Sequence, residues 1–292
     1  MESIPLREAG HEWVLVRPLH VITGPPSSLA LINRLQSRYI VADFTLRLIG
    51  TGNAFVPDGR LHSNLIIDDS ILIDAPPTTL VALRNAGISP AAINHLLITH
   101  WHGDHIFGFP FLMLERRFIS DPDAERSLHV HTRRGGSGLL GQLCHLAFPG
   151  NVEHMLDGRV TWHDEDEGVV GNDGRWKYIR FEVKHEPLVF PYGYRLEHKT
   201  GFTLCHFGDT GPCSAVSEHA ATSDLVILEA GVPDGVHGSG HHTPSDVISL
   251  AVESPSTQFI LTHCFWSAEG DDERVPVFPE NVIVAQDGWS FK

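Results

Sequence analysis

From Phe44 onward the chain alternates short apolar, β-branched runs with stretches whose apolar positions recur at helical spacing. Short runs of such residues bounded by turn formers predict strands. Thr45–Ile49, Leu65–Ile67 and Ile71–Ile73 fit, the last two joined by the hairpin signal Asp68-Asp-Ser70. Asp74-Ala-Pro-Pro77 closes the hairpin and opens a helix through about Asn85, stopped by Gly87. A strand over Ile93–Thr99 precedes a helix from about Asp104 to Phe118. Leu128–His131 predicts a strand and Gly138–Leu146 a helix. Val160–His163 and Trp176–Val183 are further strands, and Tyr192–Leu196 with Phe202–Phe207 forms a hairpin. Ser214–Ala221 is a helix, Leu225–Leu228 a strand, and Pro244–Val252 a helix with Thr243 as N-cap. Gln258–Thr262 and Val282–Ala285 are the last strands, with a turn at Asp287-Gly288.

This mixture predicts two sheets back to back, each covered by helices. A single doubly wound sheet is the rival, and the hairpins at 65–73 and 192–207 argue against it. Residues 1–44 stand apart as an N-terminal extension. Trp13–Val16 and His20–Ile22 read as a strand pair, Gly24–Ser28 as a breaker and Leu29–Tyr39 as an amphipathic helix. The extension is expected to pack on the main domain, residues 45–292, or on a second subunit in a homodimer. No period of 20–50 residues recurs, which excludes a solenoid.

The chain's 292 residues and 42% hydrophobic content allow a substantial core. No apolar run approaches the ~18–20 residues of a membrane span. The start has neither a basic n-region nor an apolar h-region. The four cysteines show no C-x-x-C spacing, so reduced thiols in the cytoplasm are expected. A formal charge of −15 argues against a broad nucleic-acid or membrane surface. Acids cluster in Glu153–Asp173 and Asp271-Asp-Glu273, which read as solvated faces.

The 20 histidines carry the chemistry through their placement. In Asn94–His105, alternate side chains of the extended segment put His100 and His102 on one face. Gly103 permits a sharp turn, and Asp104 and His105 follow at a helix start. Other predicted strands also run out at polar residues: His185, Asp209 and His263. Functional groups gather at strand ends in packed sheets. Five histidines and two aspartates would serve two divalent ions with positions left for water.

The segments Thr99-His-Trp-His-Gly-Asp-His105, His185, Phe207-Gly-Asp-Thr210 and Leu261-Thr-His263 resemble, in order and local sequence, the metallo-β-lactamase superfamily. The resemblance runs from about residue 45 to the end and implies a four-layer αββα sandwich of the α/β class. It implies that His100, His102 and His185 hold one metal, that Asp104, His105 and His263 hold the other, and that Asp209 bridges. Asp74 resembles the family's buried aspartate that braces the histidine loop, and Thr210 follows the bridging residue. Gly240-His-His-Thr-Pro244 after the Gly-Asp, with Asp224–Glu229 upstream, resembles the tRNase Z and small-phosphodiesterase branch. There His241 would protonate the leaving oxygen and Glu229 would orient it, with Asp104 in the metal centre. His242 is adjacent, and the alignment can slip by one.

The implied function is a dinuclear-metal hydrolase of a small anionic phosphodiester, a cyclic nucleotide or similar, acting through a metal-activated hydroxide. Zinc is the expected metal, with manganese or iron as alternatives. Arg133 and Arg134, before Gly135-Gly-Ser-Gly138, and His242 are candidates for holding a substrate anion. Long tRNA is not the expected partner, because the basic arm that grips it is missing and residues 150–175 are acidic. The rival readings are a lactonase, thioesterase or sulfatase of the same fold, a non-hydrolytic metal-binding pathway protein, and a mononuclear-iron dioxygenase.

Overall fold

The computed structural model describes residues 44–57, 59–151, 156–236, 240–267 and 273–291. The expected extension over residues 1–44 lies outside these apart from Phe44. Alternation of inward and outward residues builds two seven-stranded sheets. The first has the order β14-β1-β2-β3-β4-β5-β6, and the second β13-β12-β11-β10-β9-β8-β7. In the first sheet, β1 is Leu46–Gly50, β2 Asn64–Ile67, β3 Ile71–Ile73, β4 His95–Leu97, β5 Leu128–His131, β6 Val160–His163 and β14 Trp289–Phe291. In the second, β7 is Glu167–Val170, β8 Trp176–Glu182, β9 Tyr192–His198, β10 Thr203–His206, β11 Leu225–Glu229, β12 Gln258–Thr262 and β13 Val282–Val284.

Each sheet is antiparallel on one side and parallel on the other. β3 through β6 run parallel, as do β10 through β13. The parallel strands β4, β11 and β12 are buried along their whole length, as strands covered on both faces must be. One apolar layer lies between the sheets, where Leu48, Leu65, Ile73 and Leu97 meet Tyr194, Leu204, Ile227 and Ile260. A second seals the first sheet under helices that contribute Leu83, Phe109, Leu112 and Leu140. A third seals the other sheet under Val216, Val247 and Leu250. The architecture is therefore the four-layer αββα sandwich.

The helices are α1 Thr79–Asn85, α2 Gly103–Ile106, α3 Phe109–Glu115, α4 Gly136–Ala147, α5 Ser214–Ala221 and α6 Pro244–Glu253. α6 opens on a capping box: the Thr243 hydroxyl accepts from Asp246 N, and Thr243 N donates to the Asp246 carboxylate. The single helix expected over 104–118 is broken into α2, α3 and a π turn at Arg116–Ser120. Pro110 has no N–H to continue the ladder. Gly108 donates instead to Ala75 O (2.8 Å), so close to the chain that a Cβ there would overlap the Pro76 carbonyl. β7 and β14 are not expected from the sequence, since Glu167–Val170 has only two apolar side chains, one of them exposed, and Trp289–Phe291 is only three residues long. Among the described residues no cysteine forms a disulfide, and no helix is long and apolar enough to cross a membrane.

Candidate metal centre

β4 gives out at Leu97, and the next residues are steered by Asp74. Its Oδ1 accepts from Thr99 N and its Oδ2 from Thr99 Oγ1, both at 2.7 Å. The same Oδ2 lies 2.8 Å from His105 Nδ1. Asp74 has a left-handed backbone (φ 63°), a strained conformation for a non-glycine that sets this carboxylate across the strand end. With Nδ1 of His105 committed, its Nε2 is turned inward, buried and without a hydrogen bond.

The strand ends then meet. His100 Nε2 and His185 Nε2 each lie 3.1 Å from His102 Nδ1. His100 Nε2 is 3.7 Å from Asp209 Oδ2. On the other side of Asp209, the same oxygen is 3.4 Å from His105 Nε2 and 3.2 Å from His263 Nε2. Asp104 Oδ2 is 3.4 Å and 3.3 Å from these two nitrogens. The structure thus gathers His100, His102, His185 and Asp209 into one group, and Asp104, His105, Asp209 and His263 into another. Within each group the ligand atoms lie within 4.8 Å of one another. Asp209 belongs to both.

The donor chemistry fits divalent cations. Asp209 is buried, and Asp104 and Asp209 pair with histidines: His105 and His263 with both, and His100 with Asp209. Buried charges require pairing or a metal. Burial would raise the Asp209 pKa, but His263 and His105 beside it hold it well below the usual carboxylate range. Asp104 is likewise lowered, against its burial, by the adjoining imidazoles of His105 and His263. Burial and the His105 charge push His100 well down, leaving a neutral imidazole able to donate a lone pair. His185 is fixed from behind by the Gly240 carbonyl, 2.8 Å from its Nδ1. A Cβ on Gly240 would sit 2.5 Å from that nitrogen, so glycine is required there.

Above these groups, His241 Nδ1 lies 2.9 and 3.0 Å from the two oxygens of Glu229. Glu229 is buried and also accepts from Thr210 N (2.7 Å) and Gly231 N (2.9 Å). Burial lowers the His241 pKa, but the hydrogen bond and charge of Glu229 outweigh it, raising it to about 9. Thr210 stands outside both ligand groups. Its hydroxyl donates to backbone carbonyls, Gly211 O at 2.8 Å and Lys184 O at 3.2 Å, tying the Asp209 turn to the end of β8.

His242 cannot face a substrate anion. It is buried, its Nδ1 donates to Thr210 O (2.5 Å), and burial lowers its pKa to about 4. Adjacent residues at a bend point opposite ways, so the sequence alone could not separate it from His241. Arg134 is exposed, and Arg133 stacks over Phe190, its Cζ 3.5 Å from the ring centroid. Sequence reasoning did not find the Gly240 carbonyl. A backbone acceptor leaves no side-chain signal; the only trace is glycine beside a histidine pair.

A family profile described as anti-Pycsar protein Apyc1 matches residues 44–134. Ribonuclease Z of Pyrobaculum calidifontis is 28% identical over 262 residues, covering 75% of this chain and 85% of its own. The human tRNase Z short form superposes with a TM-score of 0.64 at 21% identity, over 85% of this chain and 98% of its own. A diphosphatase of the PhnP family gives 0.63 at 20%, over 85% and 97%. The chain is a metal-dependent hydrolase of the metallo-β-lactamase fold. Within that class its sequence is related, at a distance, to ribonuclease Z.

Proposed function

We propose that the chain hydrolyses a small anionic phosphodiester, such as a cyclic nucleotide, at two divalent ions, with zinc the expected metal. The observation that carries this reading is the Glu229–His241 pair standing beside two ligand groups that share Asp209. His100, His102 and His185 would hold one ion, Asp104, His105 and His263 the other, and Asp209 both. Bound ions of this kind polarise phosphoryl oxygens and lower the pKa of coordinated water toward ~7. Two such ions outweigh the two carboxylates, so the centre favours an anion.

The protein's own groups do the rest. Glu229 engages Nδ1 of His241, which leaves Nε2 as the nitrogen that hands a proton to the departing oxygen. Asp74 and the Gly240 carbonyl hold His105 and His185 in one ring orientation each. The ribonuclease Z relatives support phosphodiester chemistry. The edge of the second sheet supports a small substrate: Asp164–Glu167 is exposed and acidic, which repels a polyanion whose binding depends on phosphate neutralisation. Turnover of bis(p-nitrophenyl) phosphate alongside lactones, a thioester and a sulfate ester tests the reading. It expects the phosphodiester to react best; hydrolysis of lactones with the phosphodiester untouched would overturn it.

A further inference from the structure

Trp101 stands in the chain between His100 and His102, and its indole packs against Gly136, the first residue of α4. A Cβ on Gly136 would lie 2.8 Å from the indole and would overlap Thr132 Oγ1. α4 has twelve residues; its Gly136 N–H donates to Arg133 O (3.0 Å), while the N–H groups of Ser137 and Gly138 have no intrahelical acceptor. Thr132 is 2% exposed, and its hydroxyl, set against Gly136, makes no hydrogen bond among the described residues. Trp101 Nε1 and Arg133 Nε are also buried without a partner. A buried donor left unpaired is costly, so each of these three neighbouring residues calls for an acceptor.

The surroundings select the acceptor's charge. The guanidinium of Arg133 lies between Phe190 and Trp101, 3.5 and 5.7 Å from the ring centroids. Phe190 holds a left-handed backbone (φ 50°), and its loop is tied down by Trp101 N donating to Val189 O at 3.2 Å. An arginine, a helix N-terminus, an indole N–H and a hydroxyl suit a tetrahedral oxyanion.

We propose that Trp101, Thr132, Arg133 and the Ser137 and Gly138 amides of α4 form a subsite for a second, non-scissile phosphoryl group of the substrate. Its role in turnover rests on the phosphodiesterase reading above. What ties the subsite to the metal centre is the chain itself, with Trp101 standing between His100 and His102.

The test uses the metal-loaded full chain and thymidine 5′-(p-nitrophenyl phosphate) with and without a 3′-phosphate. The wild type is expected to show a lower KM for the 3′-phosphorylated ester. Arg133→Gln and Thr132→Val should raise that KM roughly tenfold more than the KM of the plain ester. Equal effects on both esters, or none, would overturn the subsite. Phosphate titration followed by 31P NMR separates the two readings. If the wild type cleaves neither ester, the phosphodiesterase reading fails and the titration decides the subsite. Phosphate binding kept in His102→Ala and weakened in Arg133→Gln sustains an oxyanion site here. Binding lost in His102→Ala and intact in Arg133→Gln overturns it.

Discussion

Glu229 Oε1 lies 2.9 Å from Nδ1 of His241, and the carboxylate that holds it is buried. A histidine held this way is oriented for proton transfer. His241→Ala should lower kcat by roughly 10²–10⁴-fold while metal content stays at the wild-type level. Glu229, His241 and His263 also bring ligand atoms within 4.8 Å of one another. Metal analysis of the variant decides between the roles: loss of an ion along with activity would make His241 a ligand instead of an acid.

Asp209 is the residue on which both ligand groups converge, with His263 at 3.2 Å and His105 at 3.4 Å from one oxygen. Asp209→Ala should abolish phosphodiester turnover and reduce bound metal. His102→Ala should abolish turnover as well. Inductively coupled plasma analysis beside an activity assay reads both, and an Asp209→Ala protein with full metal and full activity would remove the bridging role.

Asp74 touches no substrate; it accepts from Thr99 and holds His105. Asp74→Ala leaves two buried groups without their acceptor and frees the His105 ring. Loss of such an orienting partner typically weakens metal affinity by roughly 10–100-fold. Competition with a chromogenic chelator measures it. An unchanged affinity would show that packing alone fixes the histidine loop.

Away from the metals, β4, β5 and β6 stack four histidines. His95 Nδ1 lies 3.0 Å from His131 Nε2, and the His131 and His163 rings are 4.5 Å apart. Burial, reinforced by neighbouring histidines, lowers the His95 pKa to about 4 and His131 to about 2. A histidine near 6.5 when unfolded binds its proton in the unfolded state first. The stability from the neutral rings is therefore complete above pH 6.5 and is lost as pH falls through 4 toward about 2. Melting temperature should drop over that interval, and less steeply in His131→Gln than in the wild type. Identical slopes would place the acid sensitivity elsewhere.

Much of this arrangement is legible in the residues. The alternation His100-Trp-His102 at the end of an apolar run locates a strand end with two imidazoles on one face. The β-branched content of β11 and β12 marks buried parallel strands. What resists reading has physical causes. The bend that buries His242 and presents His241 is set by Thr210, more than thirty residues earlier. The break after Ile106 depends on Gly108 meeting Ala75, a tertiary contact. The edge strand Glu167–Val170 owes its pairing to β8, because Val170 is buried in the core while Glu167 and Val169 are exposed.

The most direct test is to remove metal by chelation and restore Zn2+ in steps, following both ion content and hydrolysis of bis(p-nitrophenyl) phosphate. Turnover should stay near zero in the stripped protein and rise to a plateau at two ions per chain. A plateau at a single ion, or phosphodiester hydrolysis by the stripped protein, would contradict a two-ion centre built on His100, His102, Asp104, His105, His185, Asp209 and His263.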